Sequence, residues 1–257
     1  MAIHIKSAGE IAKMRTSGVA LRRVHDAVKA AVRVGATTMD LERAAAAKVK
    51  ELDEEFAAVR GCKAAFLGYH DYPAILCTSV NNEVIHGIPS DKRVLREGDV
   101  VSVDCGVVVD GFYSDCAVTH RIGTVSAKVE KLLRVTEASL YAAIDKAVVG
   151  GRLFDISWAV QSMCEAEGYG VVKEFVGHGI GRSMHEDPQL PNVGNPGKGP
   201  RLKAGMVLAI EPMINLGTAE VKVLEDGWTA ITLDGSVSAH FEHTVAITHD
   251  GPVILTA

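Results

Sequence analysis

Two hydrophobic rhythms alternate along the chain. Ile11, Met14, Val19 and Leu21 begin an apolar helical face. Ser7-Ala-Gly-Glu10 ahead of them has the form of a capping box, so a first helix is expected to about Val34, stopped by Gly35. Thr37 to Asp40 opens a second, alanine-rich helix that ends before Gly61. Ser126 caps a third through about Val149, and Phe154 to Gly168 form a fourth. Elsewhere the period falls to two. Residues 100–120, VVSVDCGVVVDGFYSDCAVTH, are two β-branched runs around Asp110-Gly111, a strong short signal for a tight hairpin. MVLAIEPMIN, WTAITLD and FEHTVAITHD read as further strands, and NNEVIHGIPSD as a short strand running into a turn. Residues 171–182 read as a strand breaking into a glycine-rich loop, and PQLPNVGNPGKGP as a surface loop.

The pattern repeats. Val34-Gly35, Met39, Asp40 and Leu41 match Val149-Gly150, Phe154, Asp155 and Ile156. Leu95, Gly98, Val100, Val103 and Asp104 match Leu202, Gly205, Val207, Ile210 and Glu211. Each half is then two helices followed by antiparallel strands, an α+β layout. The expectation is a single catalytic domain over 1–257, with pseudo-repeat halves of roughly 7–120 and 126–250 and a site on the axis between them.

The hairpin fixes two members of that site. A two-residue turn sets Asp104 opposite Ala117 and Gly106 opposite Asp115. Side chains alternate between faces, so Asp104 and Asp115 project from one face as diagonal neighbours. Two carboxylates so close repel by roughly 4 kcal/mol at an effective dielectric near 20. A cation between them, or a proton on one, is required. Cys105 and Cys116 fall opposite each other on the other face.

Three more residues share this character. His178 lies in GHGIG, Glu211 in LAIEPM and Glu242 in AHFEHTVAI. A single acid in a strand usually lies on a solvated face. Four acids in apolar strands are harder to dismiss, because lone buried charge is costly. A shared pair of divalent ions resolves Asp104, Asp115, His178, Glu211 and Glu242 together. Oxygen-rich ligands with one imidazole suit Mn, Fe(II) or Co, with Zn left open. A water between two such ions has its pKa drawn toward about 7, which is hydrolytic equipment. His86, before Gly-Ile-Pro, and His185, in SMHEDP, are placed for catalysis.

Composition narrows the class. A net charge of −5 argues against nucleic acid or an anionic membrane as the main partner. No apolar run is long enough for a membrane span, and the start has no secretory-signal pattern. An odd count of 5 cysteines without C-x-x-C predicts a reduced, cytoplasmic protein.

HGIP at 86–89, VDCGVVVDGFYSD, GHGIGRSMHEDP, EPM at 211–213 and the final FEHTVAIT, in this order, resemble a methionine aminopeptidase of type I, in its short bacterial form. The likeness runs over nearly the whole chain. It implies the pseudo-twofold pita-bread fold and removal of the initiator methionine from nascent chains with a small second residue. By that rule the chain's own start, with Ala2, is a substrate. The resemblance implies that Asp104, Asp115 and Glu242 hold one ion and Asp115, His178, Glu211 and Glu242 the other. His86 and His185 then face the scissile amide, and Glu211 relays the proton of the attacking water. Phe66, Tyr69, Tyr72, Cys77 and Trp228 form the methionine pocket, where aromatic and sulfur contacts suit a flexible apolar side chain. The implied partners are nascent polypeptide N-termini and, at most, the ribosome, with a monomer expected.

Two positions depart from the pattern. Many bacterial relatives carry Cys where this chain has Phe66, and Phe where it has Met184; both bear on pocket shape and inhibitor preference. An X-prolyl peptidase of the prolidase or aminopeptidase P kind shares the metal set, but usually has a large domain ahead of the first site residue. A non-enzymatic binding protein on the same fold is expected to lack some ligands.

Overall fold

The computed structural model describes residues 3–257, so Ala2 lies outside the described residues. Among the described residues there are four α-helices: α1 (Ala8–Ala31), α2 (Thr38–Glu55), α3 (Ala127–Ile144) and α4 (Leu153–Ala166). The first seven strands are β1 (Cys62–Ala64), β2 (Leu76–Val80), β3 (Glu83–Ile85), β4 (Val100–Val109), β5 (Phe112–Arg121), β6 (Gly170–Val171) and β7 (Gly177–Gly179). Then come β8 (Glu186–Leu190), β9 (Val207–Ile210), β10 (Met213–Asn215), β11 (Val221–Val223), β12 (Ala230–Thr232), β13 (Ser238–His240), β14 (His243–Thr248) and β15 (Gly251–Ile254).

The helices start where their caps demand. The Ser7 hydroxyl accepts from the Glu10 amide, and the Glu10 carboxylate accepts from the Ser7 amide at 2.9 Å. Thr37 and Asp40 repeat the arrangement at α2. At α4 the Asp155 carboxylate likewise accepts from the Arg152 amide at 2.8 Å. The helix ends fall short of expectation. α1 stops at Ala31 and α3 at Ile144, because Val34 and Val149, which extended the apolar pattern, are exposed in the turns that follow. α2, by contrast, ends before Gly61 as expected: it stops at Glu55 and is followed by a single 3-10 turn over Ala57–Val59. Residues 171–182, expected as a strand breaking into a glycine-rich loop, hold only the end of β6 and then β7, so His178 sits in a short strand and not in a loop.

The hairpin has the expected register: Asp104 faces Ala117, Cys105 faces Cys116 and Gly106 faces Asp115. Asp110 and Gly111 both have positive φ, 51° and 75°, as a turn that follows the strand twist requires. β4 pairs with β5 on one edge and with β2 and β1 on the other. The second large sheet runs β15-β14-β9-β7-β8, and two three-stranded sheets, β13-β10-β6 and β11-β12-β3, join it to the rest. All these pairings are antiparallel.

The duplication is visible in the backbone. The Gly35 amide donates to Leu95 at 2.8 Å, and the Gly150 amide to Leu202 at 3.0 Å. The Leu95 amide returns to Ala36 at 2.8 Å, and that of Leu202 to Gly151 at 2.9 Å. Each helix pair covers one face of its sheet. Leu21, Val24, Val28 and Leu41 pack on Val101, Val103, Cys105 and Val107 of β4. Leu132, Leu140, Ile156 and Val160 pack on Leu208, Ile210, Val245 and Ile247. Alternation along β4 therefore sends its odd-numbered side chains to the helices and Asp104 to the opposite face. Among the described residues no helix is long and apolar enough to cross a membrane.

Candidate metal centre

The uncovered faces of the two sheets meet at a seam. The Glu242 amide donates to the Ala117 carbonyl at 2.9 Å. Two residues along, the Thr119 hydroxyl donates to the His240 carbonyl at 2.7 Å and accepts the His240 amide at 2.9 Å. β5 of the first half is thus fixed against residues 240–242 of the second, and the acids of both halves face one another.

All five candidate ligands are buried. Asp115, His178 and Glu242 each offer an atom within 4.8 Å of the others. His178 Nε2 lies 3.6 Å from Glu211 Oε1 and 4.0 Å from Asp115 Oδ2. Asp104 adjoins the group through a hydrogen bond to the Asp115 carboxyl. His178 Nδ1 donates to the Gly179 carbonyl at 2.9 Å, which leaves the Nε2 lone pair directed at the carboxylates. Glycine is required on either side of His178: a Cβ at 177 would lie 2.4 Å from the Ala209 carbonyl oxygen, and one at 179 would lie 2.2 Å from that of Asp187.

Electrostatics mark the site as incomplete without cations. Burial, followed by the repulsion of neighbouring carboxylates, pushes Asp104, Glu211 and Glu242 well above the usual carboxylate range. Burial raises Asp115 to about 7, against hydrogen bonds from Asp104 and the Cys116 amide. Burial holds the His178 imidazole neutral, lowered to about 3. Asp104 Oδ1 and Glu242 Oε1 are buried without a hydrogen-bond partner. Orphaned carboxylate oxygens, a neutral imidazole and an oxygen-rich donor set fit a divalent metal centre.

The other candidates surround this group. Cys77 pairs with Asp104 across β2 and β4. Tyr72, Cys77, Phe66 and Trp228 share one apolar cluster, with the Tyr72 and Trp228 rings 5.0 Å apart. Tyr69 belongs to the adjoining cluster with Phe66 and Met184, and its hydroxyl lies 2.8 Å from His185 Nδ1. His86 packs edge-on to Phe175 and Trp228. Its backbone is left-handed, φ 61°, which turns it out of the strand end. The His178 and His185 rings are 4.2 Å apart.

Sequence reasoning missed three residues here. His240 is buried with Nε2 at 3.9 Å from Glu211 Oε2. Asn192 Nδ2 donates to the Glu211 carbonyl at 3.0 Å. Phe175 supports His86. His240 carried a signal, since it stands two residues before Glu242 in an alternating run; Asn192, in a proline-rich loop, carried none.

Against known proteins, the pattern of metallopeptidase family M24 matches residues 12–249. The chain belongs to this family. It is 51% identical over 254 residues to a methionine aminopeptidase of Clostridium perfringens, covering 99% of this chain and 98% of the relative. The crystal structure of a methionine aminopeptidase from Thermotoga maritima superposes with a TM-score of 0.94 at 45% identity, covering 99% of both chains. That match shows the pita-bread fold. A prolidase from Pyrococcus horikoshii shares the fold at a TM-score of 0.76 and 21% identity, but this chain covers only 63% of it. As an M24 metallopeptidase the chain uses divalent metal.

Proposed function

We propose that this M24 enzyme is a methionine aminopeptidase with two ions, acting on nascent chains whose second residue is small. The carrying observation is the buried set of four carboxylates and one imidazole at the seam, in a chain 51% identical to a methionine aminopeptidase. Asp104, Asp115 and Glu242 would hold one ion. Asp115, His178, Glu211 and Glu242 would hold the other, with Asp115 and Glu242 belonging to both sets. Mn, Fe or Co suits this donor set, and Zn remains open. When bound, the ions supply the positive charge that lets water ionise near neutral pH and polarises a carbonyl.

The protein's own groups do the rest. Glu211 is placed to take the proton of the attacking water and pass it to the leaving amine. His86 and His185, both held neutral by burial, donate N–H to the amide as charge builds on its oxygen. The cluster of Phe66, Tyr72, Cys77 and Trp228, with Tyr69 at its rim, takes the methionine side chain. We place the activity in the cytoplasm, on a monomer meeting nascent N-termini as they leave the ribosome, with halves near 7–120 and 126–250 in one catalytic domain.

Turnover of peptides by the metal-loaded protein tests this. Met-Ala-Ser peptides should be cut, and Met-Lys and Ala-Pro peptides should not. Equal cleavage of Ala-Pro peptides would overturn the reading in favour of an X-prolyl peptidase. No divalent ion bound at neutral pH would favour a binding protein.

A further inference from the structure

Behind the strand that carries Asp115 lies a cavity of about 620 Å³. It opens on the helix-covered side of β5, away from the methionine pocket. Arg22, His25 and Lys29 of α1 line one wall; His120 of β5, Tyr141 of α3 and His243 of β14 line the others. Its floor is Cys116, whose carbonyl accepts from His25 Nε2 at 2.9 Å and whose thiol donates to the Glu242 carbonyl at 3.1 Å. An occupant would touch the backs of the segments that bear Asp115 and Glu242.

Three observations give the occupant its chemistry. First, two imidazole nitrogens on this wall, His25 Nδ1 and His120 Nε2, are buried without a hydrogen-bond partner. His25 is only 6% exposed. Buried polar groups in folded proteins are ordinarily paired, and an orphan at a cavity points to a ligand, water or ion. Second, the lining has three cations, Arg22, Lys29 and Arg121, against two acids, Asp26 and Glu137. Arg22 is held by Asp26 at 3.1 Å and Arg121 by Glu130 at 2.6 Å. Among the described residues Lys29 has no carboxylate within salt-bridge distance. Third, burial depresses the imidazoles of His25 and His120; His120 and, to a smaller extent, Arg22 lower His25 further, and Lys29 lowers His120. The interior is positive. A metal ion does not suit it: the positive field opposes one, and among the described residues the only converging ligand group is that of Asp115, His178 and Glu242.

We propose that this cavity is a second binding site, for a small oxyanion of phosphate or carboxylate type, gripped by Lys29 with the imidazoles of His25 and His120. The oxygens of such a ligand accept from the Lys29 ammonium and from an N–H at His120 Nε2, while His25, whose one proton on Nε2 is given to the Cys116 carbonyl, presents a bare Nδ1 that accepts from a protonated oxygen of the ligand; the ligand's charge offsets the surplus cation.

Calorimetric titration of the metal-loaded protein with inorganic phosphate, at fixed ionic strength, tests the site. Phosphate also has affinity for divalent ions, so the comparison is with Lys29→Gln and His120→Gln, neither of which touches the metal centre. The expected result is binding to the wild type that weakens at least about tenfold in both variants, with peptide turnover in phosphate-free buffer unchanged. Lys29 is an exposed helix position, so its variant will fold even if His120→Gln does not. Equal affinity in wild type and Lys29→Gln overturns the proposal, as does no binding up to about 10 mM phosphate. Acetate added to the phosphate complex identifies the source: displacement assigns the site to carboxylates, and no displacement assigns it to phosphates.

Discussion

The Thr244 side chain is hydrogen-bonded twice to the backbone of Asp115. Its hydroxyl accepts the Asp115 amide at 2.9 Å and donates to the Asp115 carbonyl at 2.8 Å. Thr119 treats His240 in the same way, from the other direction. A hydroxyl thus stands in where a strand partner would satisfy both backbone groups, and it holds a ligand-bearing strand of one half on the other half. Thr244→Val keeps the shape and removes both bonds. The buried Asp115 amide is then unpaired, at about 1–3 kcal/mol. Chemical denaturation should show that loss, and metal titration should show affinity about 10–100-fold weaker, because Asp115 is no longer held in place.

Metal removal should reverse the pH trend of stability. Asp115 has an ordinary value of 3.8 and is raised to about 7 in the folded chain; Asp104, Glu211 and Glu242 are raised as well. Between those values the folded state holds more protons than the unfolded one. The metal-free protein should therefore be most stable below about pH 4 at these groups and lose stability as pH rises toward 7, by about 1.4 kcal/mol per pH unit for each group titrating. Divalent ions bind only the deprotonated set, so the metal-loaded protein should gain stability over the same window. Urea melts at several pH values, with and without chelator, check this. Metal-free stability that rises from pH 5 to 7 would contradict the burial argument.

Phe66 and Met184 should be energetically coupled. A Cβ placed on Gly106 would lie 2.6 Å from Met184 Cε and 2.9 Å from Phe66 Cε1, so both side chains end over the same glycine. Phe66→Cys opens a void there, and Met184→Phe alone overpacks it. Together the two changes restore volume. A double-mutant cycle read by thermal denaturation should give a coupling of about 0.5–3 kcal/mol in favour of the pair. Strict additivity would mean that the two side chains do not share the space.

The hairpin was legible because two independent rules agreed on it. Asp-Gly sets the turn, and period-two alternation sets the faces, so the neighbourhood of Asp104 and Asp115 followed from counting. The duplication was legible because paired glycines and apolar residues recur in order, and the backbone bonds of Gly35 and Gly150 are its physical counterpart. The helix ends were not: an exposed Val34 or Val149 continues the apolar rhythm as well as a buried residue does. Asn192 and Phe175 reach the site from loops, where side-chain direction has no period. The cavity behind Asp115 was invisible for a different reason: Lys29, His120, Tyr141 and His243 come from two helices and two strands whose relative placement no local period encodes.

Tyr69→Phe should lower turnover without loosening peptide binding. The Tyr69 hydroxyl lies 2.8 Å from His185 Nδ1, and the two rings stack at 5.4 Å and 30°. Burial raises the hydroxyl above its ordinary value, so it keeps its proton and is the donor. Burial lowers His185, so the imidazole is neutral at pH 7 and accepts at Nδ1. The remaining proton is then on Nε2, the only ring nitrogen free to donate to a substrate amide. Phenylalanine preserves the stack and removes the donor, and the ring becomes free to flip or to change tautomer. The expected loss is about 10-fold in kcat, less than the roughly 10²–10³ for removing an oxyanion donor outright because the imidazole itself stays in place, with KM within twofold of wild type, a factor on the order of 0.4 kcal/mol in binding. Nitrogen chemical shifts of His185 should move from a single tautomer toward a mixture. Unchanged shifts with unchanged kcat would show that the loop carrying His185 sets its ring without Tyr69.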